Sequence, residues 1–79
     1  MTRNEFIDGL KNALETDFAI SEETDISTLP EYSSLSVLAI IIYLDDRLGK
    51  TFSADELSQA VVVSDLISLI GEETIENSN

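Results

Sequence analysis

Residues 33–49 read SSLSVLAIIIYLDDRLG, and whether they form a strand or a helix decides the fold. Ile40-Ile41-Ile42 favours strand by propensity. The run from Val37 to Leu44, however, has no polar alternation, so a half-exposed strand does not fit it. Helix punctuation brackets the segment, with Ser33 as a good N-cap and Gly49 as a good C′ residue. A central helix over Ser34–Leu48 is predicted.

The segments on either side are helical too. Thr2 and Glu5 have capping-box spacing, and Phe6, Ile7, Leu10, Leu14 and Phe18 recur along one helical stripe. Residues 19–33 lose that period and collect Ser21, Glu22, Glu23, Thr24, Asp25 and Pro30. They are expected to form a long loop, pinned to the body by Ile20, Ile26, Leu29 and Tyr32. Beyond Gly49, Ser53 and Glu56 form a second capping box that opens a short helix through about Gln59. A last helix starts at Ser64 or just before it, carries Leu66, Ile67, Leu69 and Ile70, and stops at Gly71. The expected fold is all-α: a small bundle of three longer helices plus one short one, with a long loop between the first and second. The domain spans 1–71, and 72–79 (EETIENSN) are expected to be a frayed acidic tail.

A chain of 79 residues is long enough for one core, and with no cysteine it must be held by packing. Sixteen acidic residues face four basic ones, a formal charge of −12 that repels nucleic-acid phosphates and anionic lipid headgroups. Nucleic acid and membrane are therefore not expected partners. Basic patches on other proteins are, because a field of this sign speeds their encounter. Met1–Leu14 lacks the apolar stretch of a secretory signal, and Val37–Leu44 falls far short of the roughly 20 residues that span a bilayer. A cytoplasmic monomer is the expectation.

An enzyme is not expected, since the chain has no histidine or cysteine to act as base or nucleophile near neutral pH. Asp45 and Asp46 are adjacent on the central helix, so their side chains diverge by about 100° and cannot share one substrate atom. Gly49-Lys50-Thr51 resembles the end of a phosphate-binding loop, but Leu44 stands where the upstream glycine is required. Asp45–Glu56 has the length of a calcium loop, yet it puts Arg47 and Lys50 at a ligand position and at the turn glycine.

Tyr32-Ser33-Ser34-Leu35-Ser36 is the remaining candidate. A serine hydroxyl in the first turn of a helix would hold an anionic group beside unpaired backbone N–H groups and the positive end of the helix dipole. Serines there also serve simply as caps. Within the central helix, Val37, Ile40, Ile41, Leu44 and Leu48 form one apolar stripe, while Leu38 and Ile42 point elsewhere. That second pair, beside acids such as Asp45, suits contact with a partner unless the bundle buries both stripes.

With Ser33-Ser34-Leu35 at the head of this helix, the chain resembles the acyl carrier protein family, whose modification motif is Asp-Ser-Leu at that place. From Ser34 through Ile70 the sequence SLSVLAIIIYLDDRLGKTFSADELSQAVVVSDLISLI is similar to the family pattern without a gap, and Val63–Ile70 looks like its closing helix. The resemblance implies a 4'-phosphopantetheine arm on Ser34, added by a phosphopantetheinyl transferase from coenzyme A. The arm would carry acyl groups as thioesters for fatty acid or specialised acyl biosynthesis. It further implies acyl-processing partners with basic patches, met by Leu35, Leu38 and Ile42 with Asp45 and Asp46 as steering charges. Acyl chains would shelter near Ile40, Ile41, Leu44 and Leu66. Ser33 stands in place of the motif's Asp, and Ser36, Val37 and Ala39 stand where the family commonly has at least one carboxylate. Those departures fit a dedicated carrier, or a carrier-like acidic interaction module that is not modified.

Overall fold

The computed structural model describes residues 1–71 and 73–75. Among them the regular structure is helical: α1 (Arg3–Leu14), a 3-10 turn (Ile26–Thr28), α2 (Ser34–Leu48), α3 (Ala54–Ser58) and α4 (Val63–Ile70). No helix among the described residues is long and apolar enough to cross a membrane.

The starts of α1, α2 and α3 and the end of α2 form where their punctuation predicts. Thr2 and Glu5 exchange capping bonds at the start of α1, as do Ser53 and Glu56 at the start of α3. Hydrogen bonds from Thr2 hold the Glu5 carboxyl below the ordinary carboxylate range. Gly49 closes α2 in the left-handed region with φ of 67°, a conformation that costs glycine nothing sterically.

The N-terminus of α4 is built differently. Val62 precedes it and offers no side-chain cap, and Ser64 lies inside the helix. The long loop supplies the acceptors: the N–H groups of Val63 and Ser64 donate to the carbonyls of Thr24 and Glu22 at 3.0 and 2.8 Å. Ile26 N–H donates in turn to Val61 at 2.9 Å. Helix-end donors that a side chain would otherwise satisfy are thus met by backbone from residues 22–24, which explains why the loop is ordered against the body. At the other end of α4, the Lys50 ammonium donates to the Ile70 carbonyl at 2.9 Å, a favourable charge at a C-terminus.

One cluster forms the core, with Phe6, Leu10, Ile40, Leu44, Val63, Leu66 and Ile67 at its centre. Of the expected loop pins, Ile26 is buried, and Ile20, Leu29 and Tyr32 pack on the cluster partly buried. Two expectations shift. Phe18, placed on the first helical stripe, is 56% exposed, because Glu15 turns left-handed with φ of 53° and ends α1 before the stripe reaches it. The core also extends past Gly71: Ile75 is fully buried. The rest of the expected tail, residues 72 and 76–79, lies outside the described residues.

Candidate functional site

Three serines at the head of α2 have separate roles. Ser33 Oγ accepts from the Leu35 N–H at 3.2 Å, and Ser36 Oγ accepts from the Ser33 N–H at 3.1 Å, a reciprocal cap. Ser36 also donates to the Glu31 carbonyl at 3.4 Å. Ser34 takes no part. It is exposed at the first helical position, and among the described residues its hydroxyl has no hydrogen-bond partner. Capping therefore accounts for Ser33 and Ser36 and leaves Ser34 unexplained.

The turn that carries that hydroxyl has no acid of its own, although Glu15 and Glu31 line the neighbouring groove beside Ser33 and Leu35. Arg47 sits in the last turn of the same helix. Ser33 makes the cap hydrogen bond without adding a carboxylate. An anionic group on Ser34 Oγ would meet the positive end of a helix of 15 residues with no adjacent first-turn carboxylate to repel it.

Down the same helix the structure separates the two apolar stripes. Ile40 and Leu44 are buried, and Val37, Ile41 and Leu48 pack partly buried against the core. Leu35, Leu38 and Ile42 are 75%, 51% and 59% exposed, so the bundle does not cover the second stripe. One helical turn further, Asp45 and Asp46 are both exposed; Asp45 Oδ1 accepts from the Thr51 hydroxyl at 3.3 Å. Ser34, Leu35, Leu38, Ile42, Asp45 and Asp46 thus share the solvent side of α2, grading from neutral hydroxyl through apolar surface to acid.

Tyr43 is the buried neighbour of this face that periodicity alone missed. It is buried, its hydroxyl donates to the Phe6 carbonyl at 3.0 Å, and desolvation raises its pKa. Its position between Ile40 and Leu44 was the available signal, since a broad core-facing arc on a central helix takes in the residue between two buried ones. The expected acyl shelter is closely packed: Ile40, Leu44 and Leu66 are at most 2% exposed. Open grooves lie elsewhere, along the seam of α1 and α2 and between α3 and α4. Among the described residues no group of carboxylates is arranged to hold a metal ion. Compared with protein-family models, with curated proteins and with solved structures, the chain gives no match.

Proposed function

We propose that this chain is an acyl carrier that takes a 4'-phosphopantetheine arm on Ser34 and holds acyl groups as thioesters for other enzymes. The observation that carries it is the unengaged Ser34 hydroxyl at the head of α2, between two serines whose hydroxyls are committed to capping. In the attachment step Ser34 Oγ forms a bond to the pantetheine-bearing phosphorus of the coenzyme A pyrophosphate, the anhydride P–O bond breaks, and adenosine 3',5'-bisphosphate leaves. The serine proton passes to a base of the transferase, since this chain has no histidine to accept it. The attached arm supplies the thiol that a cysteine-free chain lacks.

The chain's own residues do the rest. The α2 dipole and the Ser34 N–H favour the phosphodiester. Leu35, Leu38 and Ile42 offer short-range apolar contact, and Asp45 and Asp46 draw basic surfaces toward them. Division of labour of this kind needs no catalytic group in the carrier. After incubation with coenzyme A and a broad-specificity phosphopantetheinyl transferase, fragmentation of the modified chain should place the adduct on Ser34. An adduct on Ser33 or Ser36 would move the site.

A second reading is favoured by one observation, the neutral Ser33 where carriers resembling this chain have an acid. An unmodified interaction module would keep the acidic fold and the exposed stripe of α2 and would gain no mass with any of several transferases.

A further inference from the structure

Two adjacent grooves along the seam of α1 and α2 share Ala13 and Ala39 in their walls, and we take the two together as one channel. The larger, about 450 Å³, is lined by Ala13, Ala39, Ile42 and Tyr43 among others. The smaller, about 190 Å³, continues past Ser36 to Leu35. The helices run antiparallel here: Gly9 and Asn12 face Ile42 and Asp46, while Leu14 and Glu15 face Ser33 and Leu35. From Leu35 to Asp46 the channel follows α2 for about 16 Å, three helical turns. Alanine at the facing positions keeps the side chains low along the seam of the two helices.

The rim has a sign. Glu15 and Glu31 flank one end, and Asp46 and Arg47 flank the other. At the Arg47 end Asp46 lines the groove, and Asp8 and Glu5 also act on Tyr43, against Arg47. Apolar floor and acidic ends define a complement of opposite character.

We propose that this channel docks an amphipathic helix of a partner protein, about three turns long, with aliphatic side chains over Ala13, Ala39 and Ile42 and Lys or Arg near both ends. The footprint brings α1 into the interface, whereas the carrier reading needs only the exposed stripe of α2. It stands whether or not Ser34 is modified.

The probe is a hydrocarbon-stapled peptide of about eleven residues, with Leu along one face and Lys at both ends, titrated into the isotope-labelled chain. Amide shifts are expected at Asn12, Ala13, Ala39 and Ile42, with binding weakened by salt. Ala13→Gln or Ala39→Gln, which raise the floor, should weaken binding about tenfold, as should Asp46→Lys. Asp46 is exposed, so that variant decides the matter even if a floor variant unfolds. Ser34→Ala should bind like the parent, separating this result from the fate of the carrier reading. Equal binding of a peptide with the same residues scattered around the helix would overturn the proposal. So would shifts confined to Leu38 and Asp45 or to Leu69, or no shift at millimolar peptide.

Discussion

The Tyr43 hydroxyl donates to the Phe6 carbonyl at 3.0 Å, and the two rings meet with centroids 5.9 Å apart. A side chain in the third turn of α2 is thereby fixed to the backbone of the first turn of α1. Tyr43→Phe keeps the ring and removes the bond, which should cost about 1 kcal/mol. The melting temperature of a domain this small should then fall by about 4–8 °C, read in thermal and urea unfolding.

Gly9 is what lets that ring come so close. A Cβ built on Gly9 would lie 2.7 Å from the Tyr43 ring carbons, well inside contact distance. Gly9→Ala gains helix propensity on α1 yet should destabilise by about 1–3 kcal/mol through overpacking. Combined with Tyr43→Ala, which vacates the space, the two costs should add to less than their sum. A strictly additive double variant would mean that the helices simply move apart.

Burial raises the Tyr43 pKa above the ordinary value of 10.0, with Asp8 and Glu5 acting in the same direction and Arg47 against them. The folded state thus binds its phenolic proton more tightly than the unfolded chain does. Stability from this group is complete below about pH 10 and is lost as pH rises through the higher folded value. The urea midpoint should drop between pH 9 and pH 11, and the drop should shrink in Tyr43→Phe. It should not vanish, because burial also raises the pKa of Tyr32.

Sixteen acids against four bases make self-repulsion a global term. Added salt or millimolar divalent cation should raise the melting temperature by screening. A flat response would mean that the carboxylates are already dispersed.

Much of this architecture was legible in the residues. Ser33 and Gly49 bounded α2, and two capping boxes located the starts of α1 and α3, because caps are local chemistry that needs no tertiary partner. The candidate hydroxyl and the exposed Leu38 and Ile42 followed from the same helix. What escaped depends on contacts distant in sequence. The end of α1 at Glu15 carried no glycine to announce it, so Phe18 was placed on a helical stripe that stops short. Ile75 sits alone in a polar segment, with no period to mark it as core. The start of α4 is met by carbonyls far back in the chain, Thr24 for Val63 and Glu22 for Ser64. Which of the three serines at the head of α2 stays unengaged required the actual hydrogen bonds, and the channel over Ala13 and Ala39 required both helices in place.

The most direct measurement is intact mass after incubation with coenzyme A and a broad-specificity phosphopantetheinyl transferase, with Ser34→Ala and Ser33→Ala alongside the parent chain. The parent and Ser33→Ala are expected to gain one phosphopantetheine group and Ser34→Ala none. A gain that survives Ser34→Ala, or no gain in the parent with several transferases, would contradict the assignment of Ser34 as the attachment point.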